Sequence, residues 1–314
     1  MSLSTMNILQ IRLVQLLTVS LTVTLFACAP PSNEQTASQV DTTADSQAAD
    51  SQANQSQTSV EQAEKVVALT SLTADLVATL DESKLVGIPG SRLIREDPRF
   101  TDLPAVSEGR TEPDLEKIVA LNPDLVIGAG GFHDKTLARL QELGTPVLTA
   151  NVDGWEELRE LTTTLASSLS ADPQPLLDRY DACLSSSSSE TPSTLTLVSR
   201  QPLLAPNKNS WAGDFLTQLN VNNIAADFQG DSPLDGYITL SAEKVLEANP
   251  DRLIVVNTGE DLLSQLQEEP FWNELKAVQN GAVETFDYFG LVNPGSLASI
   301  EKACEQLKSI STTG

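Results

Sequence analysis

The sequence predicts an α/β protein of two lobes, each a mainly parallel sheet flanked by helices, joined by one long helix. Short apolar runs alternate along the chain with helix-length amphipathic stretches. One helix–turn–strand unit occurs twice, once on either side of a long helical stretch.

That repeated unit defines the lobes. Asp114-Leu-Glu-Lys-Ile-Val-Ala-Leu-Asn-Pro-Asp-Leu-Val-Ile127 recurs without a gap as Ser241-Ala-Glu-Lys-Val-Leu-Glu-Ala-Asn-Pro-Asp-Arg-Leu-Ile254. In each copy a cap residue, Asp114 or Ser241, opens a short helix. Pro123 or Pro250 cannot continue that helix and pushes the preceding Asn out of helical conformation. The apolar residues that follow begin a buried strand. Around the first copy, runs at 66–69, 85–88, 125–128 and 147–149 read as strands; around the second, 195–198, 252–256 and 282–286 do, with helical stretches near Phe215, Leu262 and Ala298. Residues 63–152 form the expected N-terminal lobe, 153–185 the single connecting helix and 186–310 the expected C-terminal lobe. The serine run 185–189 is expected to be a solvated loop.

Upstream, residues 8–26 are apolar with Arg12 as their only charge. They read as an export signal, against a transmembrane helix, which needs about 20 apolar residues. Leu25-Phe26-Ala27-Cys28 resembles the bacterial lipoprotein cleavage box, which implies a signal peptide over 1–28, acylation of Cys28 and an exported protein held at the membrane by lipid alone. Residues 29–62 are rich in Ser, Gln, Ala, Thr and Asp and contain no Lys, Arg or aromatic residue. Such a stretch cannot bury enough apolar surface to offset its ordering entropy, so it is expected to be a disordered linker.

A chain 40% hydrophobic and 20% charged can bury a sizeable core. Its formal charge of -24 argues against nucleic acid or an anionic membrane surface as a partner and leaves room for a cationic docking partner. Export would place Cys183 and Cys304 where a disulfide persists; one bridge and two separate buried thiols both fit the spacing.

Val66-Val-Ala-Leu-Thr-Ser-Leu-Thr-Ala-Asp75, the two Glu-Lys-to-Asn-Pro-Asp units, Trp211-Ala-Gly-Asp214 and Asn280-Gly-Ala-Val-Glu284 occur in that order. In this respect the chain resembles the helix-linked periplasmic binding proteins of ferric-siderophore, haem and cobalamin importers. The resemblance implies a non-enzymatic substrate-binding lipoprotein of an ABC importer. Its cleft would carry a ferric siderophore, or alternatively haem or cobalamin, between lobes that a rigid helix keeps from closing far. A monomer is expected. The resemblance also implies that Glu116 and Glu243, one on each lobe, pair with arginines of the permease subunits. A carboxylate early in a helix also favours the helix dipole by about 0.3–1 kcal/mol, which alone would account for a Glu.

Loops after the C-terminal ends of strands line ligand clefts in open parallel sheets, which points to 70–73, 90–95, 130–133, 200–211 and 287–292. Arg92, Arg95 and Arg200 offer forked donors to the oxygens of a ferric chelate, or serve as surface ion-pair residues. Trp211, Tyr237, Tyr288 and Phe289 offer flat walls for the ligand body, or pack in the core. His133, the sole histidine, is expected to be solvated rather than to contact a ligand or a haem iron, and a single His argues against a first-row metal site, so no metal or cofactor is expected. Gly128-Ala-Gly-Gly-Phe-His133 approaches a dinucleotide fingerprint but has His where the third Gly belongs. A NAD-type oxidoreductase and a structural lipoprotein are the readings from other classes.

Overall fold

The computed structural model describes residues 62–311 except 109–110, 186–191, 231, 233 and 260. The expected signal segment with Cys28, nearly all of the expected linker and most of the serine run lie outside these residues. The first lobe runs β1 (Val66–Ala68), α1 (Ser71–Asp81), β2 (Leu85–Gly87), α2 (Arg92–Arg95), α3 (Leu115–Ala120), β3 (Leu125–Ala129), α4 (Asp134–Glu142) and β4 (Val147–Ala150). Its sheet is wholly parallel in the order β2-β1-β3-β4. The period of two sorts its side chains. Val66, Ala68, Leu125 and Ile127 face one core, while Val67, Leu69 and Val126 face another with Ile118, Leu137 and Leu140. Burial on both faces is why these strands read as continuous apolar runs.

The expected single connecting helix is two: α5 (Trp155–Leu169) and α6 (Gln174–Leu184). Ser170 ends α5 in the left-handed region at φ 55°, and Pro173, which would clash in a continued helix, instead opens α6. The second helix folds back on the first, where the Tyr180 and Thr162 hydroxyls hydrogen-bond at 3.0 Å and Arg159 pairs with Asp181 at 2.7 Å.

The second lobe contains β5 (Thr194–Leu197), β6 (Ser199–Arg200), β7 (Leu203–Pro206), α7 (Trp211–Gln218), β8 (Tyr237–Leu240), α8 (Ala242–Ala248), β9 (Arg252–Asn257), α9 (Leu262–Gln267), α10 (Lys276–Gln279), β10 (Val283–Asp287), α11 (Tyr288–Leu291) and α12 (Leu297–Ser311). Strands β10-β9-β5 form a parallel sheet, and β6-β7-β8 form an antiparallel one that the sequence reading did not anticipate. The cause is local. Arg200 pairs with Leu203 across a turn at Gln201-Pro202, far too short for the crossover that a parallel neighbour needs.

Strand β9 links two cores, with Leu253 and Val255 facing Phe271, Trp272 and Leu275, and Ile254 and Val256 facing the opposite side. That opposite core is continuous with the first lobe: it joins Ala68 and Ile127 to Ile254 and Phe286 through residues of α1, α5, α6, α7 and α12. Separating the lobes would expose it, so the molecule resists wide hinge motion. Cys183 of α6 and Cys304 of α12 are bridged, with Cα atoms 5.9 Å apart.

The two repeat units fold alike. Asp114 accepts from the amides of Glu116 and Lys117, and Ser241 from that of Lys244. Asn122 and Asn249 both turn the chain with positive φ, 48° and 36°, a region Asn tolerates better than most residues. The aspartate that follows then ties its strand to a parallel neighbour. Asp124 accepts from the amides of Glu64 and Lys65, both at 2.9 Å, just before β1. Asp251 accepts from the Ser193 hydroxyl at 2.7 Å, just before β5. The Asn-Pro-Asp signature is thus a structural joint used once per lobe.

Candidate ligand-binding site

On the first lobe, the loops after β1 and β2 are joined by the Ser71 and Ser91 hydroxyls at 2.6 Å. Arg92 is exposed and paired along its short helix with Glu96 at 3.1 Å. Arg95 is also exposed and makes no ion pair among the described residues. In the loop after β3, His133 departs from the solvated expectation. It is half-buried, and its Nδ1 accepts from the Ala129 amide at 3.0 Å, latching the turn. Burial lowers its pKa, opposed by Asp134, so the neutral ring that this bond requires is favoured. Phe132 in the same loop is 86% exposed.

On the second lobe, Arg200 ends β6 with its Nε on the Glu269 carboxylate. It borders a concavity of about 200 Å³ whose other polar walls are Ser199, Gln201, Thr258 and Gln265. Tyr237 and Tyr288 are half-buried, and Phe289 is exposed, edge-on to Tyr288 at 5.3 Å. Burial, with a smaller contribution from Tyr288, pushes the Tyr237 phenol well above its usual range and keeps it neutral. A Cβ on Gly295 would stand 2.6 Å from the Phe289 ring and 3.1 Å from Leu93 of α2, so the lobes approach each other at this point.

Trp211 is placed differently from a ligand wall. It is only 4% exposed and stacks on Trp155 with centroids 5.5 Å apart, while Phe215 and Tyr180 meet Trp155 edge-on. Its Nε1 donates to the Gly290 carbonyl at 2.8 Å. Asp214, three residues on, accepts from the Trp155 amide at 2.8 Å and so caps α5. Gly213 between them has no room for a side chain, since a Cβ would sit 1.7 Å from the Asn207 carbonyl oxygen. The Trp-Ala-Gly-Asp motif is therefore a knot between α5, α7 and the segment after β10, and it fixes how the lobes meet.

Glu116 and Glu243 each occupy the second position of their helix, exposed and without an ion pair among the described residues. Since Asp114 and Ser241 already cap these helices, both carboxylates are left facing solvent. Sequence reasoning missed Glu269, for which no sequence signal existed, and Phe132, which an aromatic residue inside a glycine-rich loop could have flagged. It also assigned no role to Asp75. That buried carboxylate binds Arg99 and the Leu297 amide, each at 2.7 Å, and joins α1 to α12.

Two lobes built on parallel sheets, sharing a core and carrying their loops at strand ends, define a two-lobed binding protein. Residues 66–287 match the periplasmic binding protein family, and the chain belongs to it. It is 24% identical over 309 residues to the iron-uptake system-binding protein of Bacillus subtilis, covering 89% of this chain and 90% of that one. It is also 24% identical over 189 residues to a Fe(3+)-citrate-binding protein of the same organism, covering 57% of this chain and 58% of that protein's length. The crystal structure of the periplasmic vitamin B12 binding protein of Vibrio cholerae superposes with a TM-score of 0.62 at 21% identity, covering 80% of this chain and 97% of that one.

Proposed function

We propose that the protein is the substrate-binding lipoprotein of an ABC importer, taking a ferric siderophore between its lobes and presenting it to the permease through Glu116 and Glu243. Acylated Cys28 would hold it at the outer face of the membrane. Two exposed carboxylates at equivalent positions, one per lobe, on helices already capped by other residues, carry this reading. The shared core supports it too, because lobes that resist wide closure present a nearly fixed spacing of the two carboxylates. For the cargo, the two Bacillus subtilis proteins, one iron-uptake and one Fe(3+)-citrate-binding, favour iron. Tyr237, Tyr288, Phe289 and Phe132 would supply the apolar walls, and Arg95 and Arg200 the donors.

The test is the double variant Glu116→Ala/Glu243→Ala in iron-chelate uptake by intact cells, with chelate affinity measured on the purified protein. Uptake should be lost while affinity stays within about twofold, since exposed rim charges act on docking rather than on the cleft. Unchanged uptake would return both residues to stabilising their helix ends and remove the importer assignment's main support.

A further inference from the structure

On the reading of the chain as a carrier of ferric chelates, we infer that Glu269 sets the charge class of the cargo, admitting chelates of low net charge and rejecting polyanions. Among the described residues, Arg200 is the only charged one lining the concavity beside β6. Its companions there, Ser199, Gln201, Thr258 and Gln265, are polar and uncharged. Glu269, from the turn after α9, holds Arg200 by its Nε, and the two side chains are only 29% and 23% exposed. The pair is therefore poorly screened by water, and its charges cancel at the wall. A carboxylate on Nε leaves the terminal guanidinium nitrogens able to donate, so Arg200 keeps its end-on fork while the pair as a whole carries no net charge.

Among the described residues that line the concavity, no second cation accompanies Arg200. Asp261 caps α9 next to Leu262, which also lines the concavity, and Glu268 adjoins Glu269; both acids are exposed. On the first lobe Arg92 is tied to Glu96, which leaves Arg95, unpaired among the described residues, as a single positive charge against a trianion. A trianionic chelate would surrender hydration to a wall that is neutral to negative, whereas a neutral chelate rich in carbonyl and hydroxamate oxygens finds hydrogen-bond donors. The sequence reading left Arg200 either a forked donor to chelate oxygens or an ion-pair residue. With Glu269 in place it acts as a neutralised donor.

Calorimetric titration of the full-length protein with a neutral ferric trihydroxamate and a trianionic ferric tricatecholate tests this. Wild type should bind the neutral complex about tenfold or more tightly than the trianion. Glu269→Gln keeps the shape and an acceptor for Nε but frees the charge of Arg200. It should tighten the trianion by about tenfold, an effect that shrinks with added salt, and leave the neutral complex within about twofold. A wild-type preference for the trianion overturns the inference whatever the variant does, as does an unchanged selectivity ratio in Glu269→Gln. Equal binding of both chelates by wild type overturns the charge selection alone. Binding of neither overturns the ferric-carrier reading and the inference with it.

Discussion

Replacing Asp75 with Ala should destabilise the protein by about 2–3 kcal/mol, chiefly by orphaning a backbone amide. Asp75 is 2% exposed, and both of its oxygens are engaged. Oδ2 accepts from the Leu297 amide at 2.7 Å, at the first residue of α12, and Leu297 is itself buried. Leaving that N–H without a partner costs about 1–3 kcal/mol. Oδ1 takes Arg99 Nη2 at 2.7 Å, but Arg99 is 40% exposed, keeps Asp97 and lies over the Phe100 ring, so this half of the loss adds at most about 1 kcal/mol. Asp75→Asn retains an acceptor for Leu297 but sets an amide NH2 against Arg99, giving up the charge and that hydrogen bond, so its cost should be about 1 kcal/mol. At roughly 2–4 °C per kcal/mol for a domain of this size, Ala lowers Tm by about 4–12 °C and Asn by about 2–4 °C. Thermal unfolding followed by circular dichroism reads both, and amide exchange should quicken at the start of α12 in the Ala variant. Ala and Asn variants that melt together, within a degree of wild type, would refute the reasoning from an orphaned buried amide.

Two further outcomes follow from the same structure. Hydrogen bonds from Lys276 first, then Ser193, lower the Asp251 carboxyl to about 2. The unfolded chain, with its ordinary aspartate near pKa 3.9, takes up this proton first, so the contribution is present above about pH 4 and is lost as pH falls towards 2. The stability gap between wild type and Asp251→Asn, measured by urea unfolding at pH 5 and pH 2.5, should narrow at the lower pH; a constant gap would disprove the assignment. The Cys183–Cys304 bridge spans 121 residues of sequence, and in the chain-entropy account a loop of that length contributes about 4–5 kcal/mol. Cys183→Ser/Cys304→Ser should lose a comparable amount and non-reducing peptide maps of wild type should show the linked pair, whereas two alkylatable thiols would remove the bridge.

Much of the fold was legible in the sequence because the interactions that set it are short in range. A cap residue and its amides, an Asn-Pro turn and the alternation of Val66, Val67 and Ala68 are each decided within a few positions, and the repeated unit let one lobe vouch for the other. The break between α5 and α6 was missed although Pro173 argues against the one continuous helix expected there. What a side chain faces across the molecule was not legible. Trp211 in its loop could equally have walled a ligand; Trp155 and Gly290, distant in sequence, bury it. Arg200 could equally have stood unpaired or in an ion pair; Glu269, brought beside it when α9 packs against the sheet, pairs with it. Hydrophobic period and capping are properties of neighbours along the chain. Burial and electrostatic pairing depend on which distant segments share a low-dielectric neighbourhood, and only the tertiary structure decides that.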